Sequence, residues 1–124
     1  SHTVFFSERV VGDMDPRVYT PFRDVASVPG DYRTAGSTYS ICRSTPLQPV
    51  AHSSFDGTSW LAESYAQTLY NHILPPNSPI PDCCDCGPGT AGSIGGFAAR
   101  SLHRGGVHGL LGDGSVRLMS DAID

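Results

Sequence analysis

The dipeptide Asp113-Gly114, set between the apolar runs 107–112 and 115–120, restricts the fold more than any other feature of the chain. A two-residue type I′ turn needs positive φ at both central positions, and Asp-Gly is among the few pairs that tolerate it. The pair therefore predicts a C-terminal β-hairpin. That register sets Leu111 opposite Val116, Gly109 opposite Leu118 and His108 opposite Met119. Val107, Leu111, Val116 and Leu118 then share a face, which is assigned to the core, packed on a strand over 3–11 or on Trp60.

The rest of the chain is heavily punctuated, with 14 Gly and 10 Pro among 124 residues. Such a chain is rich in turns, while its strand patterns argue against wholesale disorder. Thr3–Val11 (TVFFSERVV) is β-branched and aromatic and predicts a strand ending at Gly12, covered on both sides or bulged near Ser7. Residues 13–16 read as a turn. Residues 19–28 have room for a short helix from about Pro21. Residues 30–57 are mostly turn-formers, broken by Pro46 and Pro49, with a short strand at Thr38–Cys42. Residues 59–74 fit either a helical stripe or a strand alternation. Thr, Tyr and Ile favour strand in the second half, and Pro75-Pro76 ends it. Residues 77–96 form a long irregular loop carrying three cysteines. The expected fold is mainly β (α+β at most): one domain over 1–124, an antiparallel sheet, long Gly/Pro-rich loops and the hairpin.

Charge and composition narrow the partners. The net charge is −4, and all eight basic residues are Arg, scattered from Arg9 to Arg117. Without a basic stripe, nucleic acid is not expected. No apolar run approaches the ~20 residues of a membrane helix. The chain opens on an apolar segment without an initiator Met and reads as the trimmed later part of a longer protein. The four cysteines, Cys42, Cys83, Cys84 and Cys86, form an even set in a small Gly/Pro-rich chain, which suits disulfides and an oxidising compartment. A zinc site with Cys42 or His72 is the competing reading, but only Cys83 and Cys86 have C-x2-C spacing. Connectivity does not follow from spacing, although adjacent Cys83–Cys84 pairing is strained, and Cys42 with one of the cluster is favoured.

Other residues invite sharper chemistry. On a hairpin His103 lies about 20 Å from Asp113 if the strand is straight, so the two share no site, and His103 is expected to anchor a loop. Asp13 and Asp15, or Asp113, Asp121 and Asp124, are weak calcium candidates without an EF-hand pattern, and carboxylates near turns are usually solvated. No G-x-S-x-G is present, and no catalytic residue or cofactor is assigned. Trp60, Tyr65 and Tyr70 fit a core better than a sugar-binding platform.

The tail from His103 to Arg117, with His103, Gly105, Gly106, Asp113 and Gly114 in place, closely resembles the H-x9-DG signature of bacterial prepilin-type, processing-associated proteins. The ending Ser120-Asp121-Ala122-Ile123-Asp124 follows the same pattern. Leu74-Pro75-Pro76-Asn77-Ser78-Pro79 resembles that family's L-P-P-N-S-P loop. The segment from His2-Thr3-Val4 through Glu8-Arg9 resembles its S-N-T-x-x-x-G-E-R strand, with Ser7 where Gly is usual. The resemblance touches both ends and the middle, about half the residues. It implies a type IV pilin- or pseudopilin-like head, here lacking the long N-terminal helix. The expected function is a non-enzymatic structural or interaction subunit, secreted or periplasmic, docked on other protein subunits of a larger assembly. A small secreted module binding carbohydrate or calcium is the second class. A large apolar contact surface favours the first, and a concave aromatic or acidic pocket the second.

Overall fold

The computed structural model describes residues 3–46, 48, 51–62, 64–65, 67–86 and 94–123. Among these residues the chain is mainly β, with two sheets and one short helix. Its elements are β1 (Val4–Ser7), β2 (Val25–Ser27), α1 (Ala35–Arg43), β3 (His52–Ser53), β4 (Cys83–Cys84), β5 (Gly95–Gly96), β6 (Gly106–Leu111) and β7 (Val116–Ser120). The first sheet is antiparallel in the order β1-β6-β7. The second is mixed, in the order β3-β2-β4-β5, with β2 and β4 parallel. The first is the expected antiparallel sheet with the C-terminal hairpin, and the second adds a parallel pair that was not foreseen.

The hairpin forms with a different turn. Gly114 N–H donates to the Leu111 carbonyl (2.9 Å), and Leu111 N–H donates to the Ser115 carbonyl (2.8 Å). Gly112, Asp113 and Gly114 thus make a three-residue loop, with Gly114 in the left-handed region at φ 83°. This is a turn followed by a left-handed bulge residue, the other common way to close a hairpin. The extra residue shifts the pairing by one. Leu110 faces Val116, His108 faces Leu118 and Val107 faces Met119. A one-residue shift moves every side chain of a strand to the opposite face. Val107 and Leu111 are buried as expected, whereas Val116 and Leu118 are exposed, which corrects their assignment to the core. Trp60 does not cover the hairpin either, being 81% exposed.

β1 is shorter than the expected strand. It pairs with β6 (Val4 with Leu111, Phe6 with Leu110, Ser7 with Gly109), with an irregularity between Val4 and Phe6. Beyond Ser7 the backbone takes partners from loops: the Glu8 carbonyl accepts from Arg100 N–H, and Gly12 N–H donates to the Asp56 carbonyl. Those bonds satisfy the main chain without a ladder.

Three further expectations are corrected. Residues 19–28 hold one turn, in which Arg23 and Asp24 N–H donate to the Thr20 carbonyl and Asp24 Oδ2 accepts from Thr20 N–H, followed by strand β2. Residues 38–42 are helical. Thr34 caps α1, its hydroxyl accepting from Ser37 N–H while Ser37 Oγ accepts from Thr34 N–H. This reciprocal cap, together with tertiary docking of Thr38 and Cys42, outweighs the strand preference of Thr, Tyr and Ile. The described part of 59–74 is neither helix nor strand. Side chains occupy its backbone groups: Arg9 donates to the carbonyls of Tyr65 and Leu69, Gln67 bonds Ser59 N–H, and Thr68 donates to the Ala62 carbonyl. Such side-chain bonds to the main chain, the nearer ones above all, compete with regular ladders.

The core lies around the second sheet. Ala26, Tyr32, Cys42, Leu74, Cys83 and Ala98 form one buried cluster, and Val25, Cys84, Cys86 and Phe97 a second. Cys42 on the buried face of α1 is bonded to Cys83 on β4, with Cα atoms 5.2 Å apart, and Cys84 is paired with Cys86. The segment 77–96, expected to be irregular throughout, therefore carries β4 and ends in β5; its residues 87–93 lie outside the described residues. Arg100 is buried beside Asp82, with Nη2 2.8 Å from Oδ1, and its guanidinium also donates to the carbonyls of Ser78 and Ile80. These bonds satisfy a charge pair that would otherwise be costly to bury.

Candidate functional site

Three distant segments meet at the base of the hairpin. From the first, Glu8 leaves β1 with its carbonyl fixed to Arg100 N–H. From the second, Asn77 follows Pro75-Pro76 with φ 49°. The third supplies His103, Gly105, Gly106, His108 and Asp121.

Asn77 holds the junction together. Its Nδ2 donates to the Gly106 carbonyl (3.2 Å) and to Asp121 Oδ1 (2.8 Å), and its Oδ1 accepts from Ser101 N–H (2.7 Å). Gly106 has φ 154°, and a Cβ there would run into the Met119 carbonyl across the strand pair. Gly105 stands at φ 90°. The two glycines let the chain turn sharply into β6 and let β7 approach closely.

On the neighbouring side, the Glu8 carboxylate lies against two histidines. Its Oε1 is 2.7 Å from His103 Nε2. Its Oε2 accepts from His108 N–H at 2.7 Å and lies 3.5 Å from His108 Nδ1. The two imidazole rings are 4.7 Å apart, centre to centre. His103 N–H donates to Ser101 Oγ, and Ser7 Oγ donates to the His108 carbonyl, so both histidine backbones are held. Against burial, which would raise it, the His108 N–H and the His103 side chain bring the Glu8 pKa below its usual value. Among the described residues, Glu8, His103 and His108 are the one group of three metal-ligating side chains with ligand atoms all within 4.8 Å of one another.

The structure separates other candidates. Asp113 Oδ1 accepts from Ser115 N–H and Oγ in the turn before β7, while Asp121 bonds Asn77 after β7, so the two lie at opposite ends of that strand. Asp13 accepts from the Thr20 hydroxyl, and Asp15 is paired with Arg17. Asp124 and His2 lie outside the described residues. Tyr65 stacks on Phe97 and Tyr70 sets its edge against His72, whereas Trp60 stands in solvent, contrary to its expected place in the core. A largely apolar groove of about 450 Å³ runs between Tyr39, the turn at Ile73–Pro76 and Ile123, with no carboxylate among the described residues of its lining.

The partnership of Glu8 with both histidines was missed in the sequence. Glu8 stands 95 residues from His103. Only the pairing of β1 with β6 brings them together, and the irregularity in β1 hides that register from an alternation pattern.

The chain belongs to the family described as "Protein of unknown function (DUF1559)", whose model matches residues 1–124. No curated protein and no solved structure matches it. Among the described residues, no helix is long and apolar enough to cross a membrane.

Proposed function

We propose that the chain is a non-enzymatic structural or interaction subunit, a pilin- or pseudopilin-like head that docks on other protein subunits of an extracellular or periplasmic assembly. The observation that carries this reading is the outer face of the first sheet. Phe6, Leu110 and Val116 lie side by side across its three strands, and Leu118 follows on the same face. Phe6, Val116 and Leu118 are each more than half exposed. Contiguous apolar residues on a sheet face mark a contact surface far more often than a face made for water. The two cysteine pairs suit secretion. The resemblance of the His103–Arg117 tail to the H-x9-DG signature gives the reading its architectural class.

The test is Leu118→Glu in the protein's own host. The isolated chain is expected to unfold within about 0.5 kcal/mol of wild type, because the residue is already exposed. Native mass spectrometry of the purified assembly is expected to find the variant missing from it. A variant of wild-type stability that is incorporated at wild-type stoichiometry would overturn the reading.

A further inference from the structure

We propose that Glu8, His103 and His108 form an open surface site for a divalent transition-metal ion of the zinc class, at the border of the docking face, where His108 pairs with Leu118. Two imidazole nitrogens and one carboxylate oxygen are a recurrent donor set for Zn²⁺, Cu²⁺ or Ni²⁺, and a poor one for Ca²⁺ or Mg²⁺, which prefer all-oxygen shells.

The geometry needs little change. Metal–ligand bonds of about 2.0–2.2 Å at angles of about 90–110° place ligand atoms roughly 3–3.5 Å apart. His108 Nδ1 already stands 3.5 Å from Glu8 Oε2, and His103 Nε2 stands 2.7 Å from Oε1. An ion entering between them opens the shorter contact and draws in the two imidazole nitrogens, which already lie within 4.8 Å of each other. All three side chains are partly exposed, so water has access to the remaining coordination positions.

The supporting shell is already in place. His108 N–H holds one carboxylate oxygen, Arg100 N–H holds the Glu8 backbone, and Ser101 Oγ holds the His103 backbone. Partners of this kind orient the ligands and contribute to affinity. The Glu8 carboxylate thus meets both histidines, His103 through Nε2 and His108 through its N–H, with His108 Nδ1 standing 3.5 Å away. On binding, the lone pair of His103 Nε2 goes to the metal. The proton that Nε2 shares with the ionised carboxylate moves to Nδ1 or to solvent, and affinity therefore falls as pH is lowered.

Calorimetric titration of the oxidised chain with ZnCl₂ in a non-chelating buffer tests the site, with proton NMR of the imidazoles in parallel. One ion per chain is expected, moving the His103 and His108 resonances and leaving those of His52 and His72 in place. His108→Ala and Glu8→Gln are each expected to lower zinc affinity about tenfold or more. His108→Ala should melt like wild type without metal, since its ring is half exposed. CaCl₂ in excess should not compete. Absence of saturable binding below about 100 µM zinc, equal affinity in wild type and His108→Ala, or shifts confined to His52 or His72 would overturn the proposal.

Discussion

Asp56 has no exposed surface, yet it is a carboxylic acid. Burial pushes its pKa up to about 6, although the nearby Arg9 charge pulls the other way. Between the ordinary value of 3.8 and about 6, the folded chain keeps a proton that the unfolded chain has released. Stability therefore falls as pH rises through that window, by up to about 3 kcal/mol for a shift of this size. Glu8 works in the opposite direction. Its depressed pKa gives a contribution that is complete above 4.5 and lost as pH falls through the folded value. Urea midpoints measured from pH 3.5 to 8 should show wild type losing stability between about pH 4 and 6, and Asp56→Asn should remove that decline. An unchanged profile in the variant would assign the decline elsewhere. The sequence could not have singled out this residue. Ser54-Phe55-Asp56-Gly57 reads as a solvated turn, and only the chain packed over it makes the acid costly.

At the scale of elements, legibility followed the range of the interactions. The Asp-Gly signal placed the hairpin and the positive φ of Gly114, because both arise within a few residues. It could not fix the register, because a three-residue loop with a left-handed glycine draws on the same residues as a two-residue turn. One residue then decided which side of β7 meets the core. Helix α1 had a local signal in Thr34 and Ser37, but a serine at the third helical position is a weaker sign than the usual glutamate. β2, β4 and β5 are two or three residues long and owe their form to their neighbours, so no periodicity could reveal them. Gly114→Val is expected to cost about 1–2 kcal/mol, since a β-branched residue is strained at φ 83°. Nothing lies within 4 Å of a Cβ at that position, so the cost is conformational and not steric crowding. Urea unfolding should show it, and Gly114→Asn should recover most of it, because Asn tolerates the left-handed region. A full loss in both variants would point to another cause.

Across the whole molecule, the Cys42–Cys83 bond joins α1 to the second sheet over a separation of 41 residues. Closing a loop of that length removes unfolded-state entropy worth about 2–4 kcal/mol. The Cys42→Ala/Cys83→Ala double variant should lose about that much in urea unfolding. The Cys84→Ala/Cys86→Ala pair should lose less, since its loop spans only two positions. Comparable losses in the two variants would mean that packing, not chain closure, sets the effect. The first sheet has no such covalent tie, and its order carries a consequence for biosynthesis. Of the strands in that sheet β1 is made first, and its one strand partner among the described residues, β6, is made roughly a hundred residues later. During that interval the segment Val4-Phe5-Phe6 has nothing to zip against, and its bare apolar strand invites adventitious pairing with other nascent chains. Polypeptides halted before Gly106 should therefore aggregate, while those extended past Ser120 should not. In the cell, this segment is where a holdase would have most to protect until the last strands emerge.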